Sequence, residues 1–167
     1  MSLYIFDVGG TLVKSQRSRV GIPASPKKPR DVTLLPGVFE KFAELRAAGH
    51  RIALATNQNN VAKGKMTLRD AEVLVESAAV KAGGVDAWRL SPYDPSAPKR
   101  MDGKLNPYAR DDDSRKPHPG MILDLMKELH FKPEETYLVG NSQDDRKAAK
   151  AAGVFYISAN KFFKEEK

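Results

Sequence analysis

Short apolar runs alternate with amphipathic stretches along this chain. Five runs predict strands, because each is brief, rich in apolar residues and followed by polar or turn residues: 3–6, 51–55, 87–90, 137–139 and 154–157. Between them, apolar residues recur at helical spacing in four segments, which are predicted helices: about 38–48, 67–82, 119–129 and 148–152. Strand and helix alternate throughout, and this order predicts an α/β sandwich around a mainly parallel sheet.

Two segments lack such a pattern and are predicted loops. Residues 91–117 contain five prolines, and residues of about 14–35 form a basic loop with six Lys or Arg side chains and no acid between positions 14 and 30. The net charge of +7 is therefore unevenly placed. Two interpretations stay open for the basic loop: a solvated surface loop, or an electrostatic guide for a phosphorylated substrate or a nucleic acid end.

The composition excludes several kinds of site. The chain has no cysteine, so disulfides, a thiolate nucleophile and a cysteine zinc site are ruled out, and its three histidines are scattered. No apolar stretch approaches the roughly 18 residues that span a bilayer. The N-terminus also lacks the layout of a signal peptide, so we expect a cytoplasmic protein that does not act on membranes.

Polar residues follow three of the predicted strands. Asp7 leaves the first strand and is followed by two glycines and a threonine, a pattern typical of a nucleophile that faces a nest of backbone amides. Thr56 and Asn57 follow the second strand, and Asn141 follows the fourth. Since ligands of such sheets bind at the carboxyl ends of the strands, these residues are expected to share one crevice, within reach of Lys116.

Four ordered blocks make the chain similar to phosphatases of the haloacid dehalogenase superfamily: DVGGTLV, ATNQNNVAKGK, RKPHPGM and VGNSQDDRKAAKAAGV. Their wording most resembles the IIIA subgroup, which contains heptose bisphosphate, histidinol and polynucleotide 3′-phosphatases. The resemblance covers nearly the whole chain. It implies a single Rossmann-like domain over 1–167, built as a three-layer sandwich with a five-stranded sheet and without a large cap domain.

The resemblance also implies a role for each residue of the crevice. Asp7 would form an aspartyl phosphate, while Lys116 and a magnesium ion would offset the repulsion between the carboxylate and the phosphate dianion. The implied phosphate contacts are Val8, Gly9, Thr56, Asn57, Arg115 and Lys116. The implied Mg²⁺ ligands, all oxygen donors of the kind this ion prefers, are Asp7, the carbonyl of Gly9, Asn141 and Asp145.

The chain departs from the family pattern at three places. Gly9 stands where the family has an aspartate that protonates the leaving group and then activates water, a contribution of about 10²- to 10⁴-fold in rate. Asn141 replaces a metal-binding aspartate, which lowers the expected affinity for Mg²⁺. The segment before Arg115 lacks the cysteine and histidine ligands of zinc-binding relatives, so no zinc is expected.

Three functions remain open at this stage. The first is a Mg²⁺-dependent phosphomonoesterase that acts on a small phosphorylated metabolite, with the missing acid supplied by water or a neighbour, or made unnecessary by a good leaving group. The second is a polynucleotide 3′-phosphatase, which the basic loop favours. The third is a catalytically impaired protein that binds phosphate or a partner. The sequence leaves the substrate and the oligomeric state open.

Overall fold

A parallel sheet forms the centre of the fold in this computed structural model, which describes residues 1–14, 16–17, 23–24, 28 and 31–164. The elements in chain order are β1 (Leu3–Phe6), β2 (Gln16–Arg17), β3 (Pro23–Ala24), α1 (Val38–Ala47), β4 (Arg51–Asn57), α2 (Asn59–Ala62), α3 (Leu68–Lys81), β5 (Ala87–Ser91), β6 (Arg100–Met101), β7 (Lys104–Leu105), α4 (Gly120–Leu129), β8 (Thr136–Gly140), α5 (Gln143–Ala152), β9 (Phe155–Ser158) and α6 (Ala159–Phe162).

The sheet of the described residues has five strands in the order β5-β4-β1-β8-β9, and all its pairings are parallel. The chain proceeds from β1 outward to β5 and then returns to the other side of β1 with β8 and β9. The strand order therefore reverses at β1, and the crevice that binds ligands in such sheets lies at the carboxyl ends of β1, β4 and β8.

The helices cover both faces of the sheet. Phe6 contributes to the core beneath α1, α3 and α6, where its ring centroid lies 4.6 Å from that of Phe42. Leu3 and Ile5 point to the opposite core beneath α4 and α5, because side chains alternate along a strand. Burial of each such side chain contributes about 1.5–3 kcal/mol. The predicted three-layer α/β sandwich with a parallel five-stranded sheet is confirmed.

Two capping boxes fix the starts of helices. Thr67 accepts a hydrogen bond from the backbone N–H of Asp70, whose carboxylate accepts one from the N–H of Thr67, so α3 begins where its sequence predicts. Ser142 and Asp145 form the same arrangement at α5. The predicted helical residues 148–152 form the end of α5, whose polar first turn carries no apolar period and was not predicted.

The prediction of an irregular loop over 91–117 was incomplete, since β6 and β7 form a small antiparallel hairpin there. Buried Ala97 and Ala109 pack with Ala62, and the Asn106 amide donates to the carbonyl oxygens of Ala62 at 2.8 Å and Pro98 at 2.9 Å. Such contacts hold the segment against α2. Half of the predicted basic loop lies outside the described residues. Of the helices that are described, none has both the length and the apolar character to cross a membrane.

Candidate active site

The carboxyl ends of β1, β4 and β8 bring the predicted site residues together. The backbone N–H of Asp7 donates to the carbonyl oxygen of Val139 at 3.0 Å, which extends the pairing of β1 with β8 by one residue and fixes the start of the Asp7 side chain. Thr56 is the penultimate residue of β4 on one side of Asp7, and Asn141 follows β8 on the other. The three strand ends therefore lie side by side, as the strand order predicts.

Lys116 lies beneath this crevice and is almost completely buried, with 2 % of its surface exposed. Its ammonium group donates to Asp7 Oδ1 at 2.9 Å, to Asp145 Oδ1 at 2.6 Å and to the carbonyl oxygen of Ala55 at 2.8 Å. Three acceptors thus satisfy the three N–H bonds of the group. The cation is held by the protein interior, where its attraction to Asp7 is weakly screened.

Burial and charge oppose each other in this group. Burial raises the pKa of Asp7 above its ordinary value of 3.8, and the Asp145 carboxylate raises it further, whereas Lys116 lowers it without cancelling the rise. Burial also lowers the pKa of Lys116, but Asp7 and Asp145 together hold it above its ordinary value of 10.5. Lys116 is therefore a permanent cation at neutral pH.

Asp145 is an internal partner of Lys116 in this structure, and its role as a metal ligand stays a prediction. Its Oδ2 accepts hydrogen bonds from the backbone N–H groups of Asn141 and Ser142, both at 3.1 Å, and from the Ser142 hydroxyl at 2.9 Å. Its Oδ1 accepts from Lys116, and only 1 % of its surface is exposed. Both oxygens are therefore committed to the helix start and to the buried cation.

The Asn57 side chain holds the backbone of Lys116 in place. Its amide nitrogen donates to the carbonyl oxygen of Lys116 at 2.9 Å, and its Oδ1 accepts from the N–H of Lys116 at 3.0 Å. The clamp uses one of the two N–H bonds of the Asn57 amide, so the predicted contact of Asn57 with phosphate stays a prediction. A Thr-Asn pair after a strand carries no sequence signal for this clamp, since its partner lies 59 residues away.

Other polar contacts surround the crevice and were missed from the sequence. The Thr11 hydroxyl donates to Asp7 Oδ2 at 3.3 Å, and the Gln58 amide donates to the hydroxyl of buried Thr56 at 3.1 Å. The Arg115 guanidinium donates to Asn59 Oδ1 at 2.5 Å and to the carbonyl oxygen of Tyr93 at 3.0 Å, so α2 and the 91–117 segment together position it. The position of Thr11 within the DVGGTLV block was the sequence feature from which its contact with Asp7 could have been predicted.

Comparison with known proteins identifies the family. Residues 28–153 match the family of haloacid dehalogenase-like hydrolases. This chain belongs to that family. The D-glycero-β-D-manno-heptose-1,7-bisphosphate 7-phosphatases of Rhodopseudomonas palustris and Escherichia coli K12 are 32 % and 33 % identical to it over 124 residues, or 72 % of this chain. The chain spans 66 % and 62 % of the lengths of those two curated relatives.

A solved structure gives the same picture of this hydrolase. The D,D-heptose 1,7-bisphosphate phosphatase of B. bronchiseptica, complexed with magnesium and phosphate, superposes with a TM-score of 0.72 at 29 % identity. The alignment covers 93 % of this chain and 79 % of the other. The shared fold spans the whole sheet and its flanking helices, which agrees with the predicted resemblance.

The crevice of this hydrolase offers a few oxygen atoms that could bind a magnesium ion, and oxygen is the ligand atom that this ion prefers. Asp7 offers a carboxylate oxygen, and Asn141 an exposed amide oxygen. No backbone hydrogen bond within the described part of the chain uses the carbonyl oxygen of Gly9. In the same part, no three His, Cys, Asp or Glu side chains are grouped around a possible metal position. The set fits Mg²⁺ with a single negative charge, so affinity is expected to be low.

An alanine at position 140 of this hydrolase would place its methyl group against the side chain of Asp145. A Cβ there would lie 2.5 Å from Cγ and Oδ2 of Asp145, whose side chain four donors hold rigidly. We expect Gly140→Ala to lower the free energy of unfolding by about 1–3 kcal/mol. The rate of hydrolysis at this site should fall about tenfold, because displaced Asp145 loosens Lys116. Chemical unfolding and steady-state kinetics measure the two effects.

Gly49→Ala is the matched control. Nothing lies within 4 Å of a Cβ at Gly49, although its φ of 82° makes an alanine there cost about 1 kcal/mol. This variant should lose stability and keep full activity. If Gly140→Ala behaves in the same way, Asp145 does not position Lys116.

Proposed function

We propose that this hydrolase is a phosphomonoesterase that acts on a small phosphorylated metabolite through an aspartyl phosphate at Asp7. The observation that carries the proposal is the buried contact of 2.9 Å between Lys116 Nζ and Asp7 Oδ1 at the carboxyl end of the central strand. A nucleophilic carboxylate must approach an anionic phosphate, and a fixed cation beneath it offsets the repulsion without reorganisation.

Each residue of the crevice has a separate role in the proposed mechanism. Asp7 attacks phosphorus, while Lys116 stays charged and holds the carboxylate that attacks. Val8, Gly9, Thr56 and Arg115 are proposed to contact the phosphoryl group, in addition to Lys116, as the sequence blocks imply. Asp7, the carbonyl of Gly9 and Asn141 would hold Mg²⁺, which when bound would neutralise phosphate charge.

The relatives support a sugar phosphate as the first substrate to examine. Both curated relatives are named for heptose 1,7-bisphosphate, and the solved neighbour carries magnesium and phosphate. The test measures inorganic phosphate released from heptose 1,7-bisphosphate and from an aryl phosphate, with and without MgCl₂. Release from either compound supports the proposal, and the absence of release from both contradicts it.

A non-catalytic phosphate-binding protein is the second candidate, and the small donor set favours it. Gly9 has no side chain, Asn141 is neutral, and the carboxylate of Asp145 is committed to Lys116. For such a protein, calorimetry would detect phosphate binding, and no phosphorylated Asp7 would form. The polynucleotide 3′-phosphatase alternative depends on the basic loop, half of which lies outside the described residues, and the relatives above are named for sugar phosphates.

The raised pKa of Asp7 is expected to be visible in a direct titration. We expect the Asp7 carboxyl carbon to titrate by ¹³C NMR with a midpoint above 3.8, because burial penalises the charged form more than Lys116 stabilises it. The Asp7→Asn variant identifies the signal by its loss. A midpoint at or below 3.8 would show that the attraction of Lys116 outweighs burial.

Asn141→Asp is expected to tighten magnesium binding. A second carboxylate beside Asp7 raises the charge of the donor set, and we expect affinity to increase about tenfold or more, since ligand charge controls affinity for hard cations. Calorimetric titration with MgCl₂ measures this without turnover. Gln143→Glu adds the same charge two residues further on and should have little effect. Equal gains in both variants would mean that Asn141 does not face the ion.

A further inference from the structure

Among the described side chains that contact Asp7, none is suited to protonate a leaving oxygen. Within the described residues, Lys116 and Thr11 make the side-chain hydrogen bonds to Asp7, and Lys116 and Asp145 are the charges that act on its pKa. Lys116 uses all three N–H bonds internally, on Asp7, Asp145 and the carbonyl oxygen of Ala55. An alcohol such as Thr11 is far too weak an acid at neutral pH. Position 9, adjacent to this group, is a glycine.

Two further groups can be weighed in the same way. The Tyr156 hydroxyl donates to the carbonyl oxygen of Gly140 at 3.0 Å. Burial, the Asp145 carboxylate and the charge of Asp7 raise the pKa of Tyr156 above 10.0, so its proton is held too tightly for transfer at neutral pH. Asp145 acts as an acceptor on both oxygens. Neither group replaces the missing acid.

The sequence shows which acidic side chains the segments outside the described residues contain. Residues 15–30 contain no carboxylic acid, imidazole, thiol or phenol, so this part of the basic loop can bring positive charge but no acid that works near neutral pH. Asp31 is the one carboxylic acid of the basic loop, and the variant Asp31→Asn measures its contribution. Beyond residue 164 the chain has two acids, Glu165 and Glu166. Both can be removed by substitution, which makes their contribution measurable.

We infer that the substrate of this site is an activated phosphate, whose leaving oxygen departs without a proton, as in a carboxylic-phosphoric anhydride. This inference depends on the aspartyl phosphate of the proposed function, and it narrows the substrate from phosphate esters in general to phosphates with a weakly basic leaving oxygen, including such anhydrides. Asp7 forms a bond to phosphorus, and the bond from phosphorus to the leaving oxygen breaks with its electron pair, so a carboxylate is released. Water then attacks phosphorus, loses its proton to solvent and frees Asp7 and inorganic phosphate.

The consequence is a steep dependence of the first step on the leaving group. An alcohol leaves as a strongly basic alkoxide unless it is protonated, and lack of an acid costs about 10²- to 10⁴-fold. A carboxylate leaves unaided. Hydrolysis of phosphorylated Asp7 is common to all substrates, so kcat should be similar for the activated ones while kcat/KM separates them.

The test compares acetyl phosphate, a series of aryl phosphates with increasingly basic phenols, and glycerol phosphate, all with MgCl₂. We expect kcat/KM to fall by about 10³-fold or more from acetyl phosphate to glycerol phosphate. Intact-mass spectrometry after an acid quench should detect phosphorylated protein with acetyl phosphate. Tyr156→Phe and the double variant Glu165→Gln, Glu166→Gln should leave the dependence unchanged.

Gly9→Asp provides the decisive comparison, with Gly9→Asn as a control of matched size that has no acidic proton. Gly9 is not among the glycines with positive φ, whereas Gly10 has a φ of 74°, so a side chain is compatible with the backbone at position 9. We expect Gly9→Asp to raise kcat/KM for glycerol phosphate by about 10²-fold or more and for acetyl phosphate by less than tenfold. Gly9→Asn should give neither gain.

The outcomes separate the inference from the proposed function. Similar kcat/KM for all substrates in the unmodified protein would overturn the inference and leave the phosphatase proposal intact. A leaving-group dependence that steepens in Tyr156→Phe, or in the double glutamate variant, would also overturn it by identifying an acid. Failure to release phosphate from acetyl phosphate and every aryl phosphate would contradict both proposals.

Discussion

Asp7→Asn is expected to lower phosphate release by about 10⁴-fold or more, because an amide cannot form the aspartyl phosphate. The substitution keeps the shape of the side chain and an oxygen that accepts from Lys116, and Asp145 still pairs with that cation at 2.6 Å. The fold should therefore persist. Steady-state phosphate release measures the loss, and acid-quenched mass spectrometry should find no phosphorylated protein.

The same variant should be more stable than the unmodified protein at neutral pH. The folded-state pKa of Asp7 is raised, so the stability that this group contributes is present below its unfolded pKa near 3.8 and is lost as pH rises through the folded value. Asparagine does not ionise, so the Asp7→Asn variant does not lose this stability as pH rises. Urea unfolding at several pH values should show a difference between the two proteins that grows from acid to neutral pH.

Asp102→Asn, in the turn between β6 and β7, is the matched control for both measurements. Asp102 is exposed and has a φ of 51°, which asparagine tolerates, so this variant should change neither activity nor stability. If Asp7→Asn retained more than a tenth of the activity of the unmodified protein, Asp7 would not be the nucleophile.

Lys116→Met is expected to have the largest effect on stability. Methionine fills a similar volume, but Asp7 and Asp145 would then face each other without the cation that both contact. Removal of one partner from a buried ion pair costs about 3–5 kcal/mol. Phosphate release should fall by about 10²- to 10³-fold, as when a positioned electrostatic group is lost. Urea unfolding and kinetics measure the two effects.

A double variant keeps this prediction testable if Lys116→Met folds poorly. Adding Asp145→Asn removes one of the two unpaired carboxylates, so the pair of substitutions should cost less stability than Lys116→Met alone. Activity should stay low, since the cation is still missing. Lys127→Met on the exposed side of α4 is the control and should be neutral. A loss below about 1 kcal/mol in Lys116→Met would contradict the importance of the buried cation.

Periodicity predicted most of the framework of this fold, and it failed where elements were short or their ends were polar. The helices α2 and α6 have four residues each, too few for an apolar period to be recognised. The first turn of α5 was missed because Gln143, Asp144 and Arg146 carry no apolar signal. The hairpin of β6 and β7 is equally short and is held by contacts of Asn106 with α2 and with the segment itself.

The sequence by itself determined the order of strands and helices, the positions of Asp7, Thr56 and Asn141 at strand ends, and the absence of acid at Gly9. These follow from local pattern and residue type, because a strand and its exit are properties of neighbouring residues. Only the tertiary structure decided which partners the polar side chains choose. Asn57 clamps Lys116, and Asp145 is buried against it, because hydrogen bonds between residues 29 to 59 positions apart depend on distances that the folded chain alone creates.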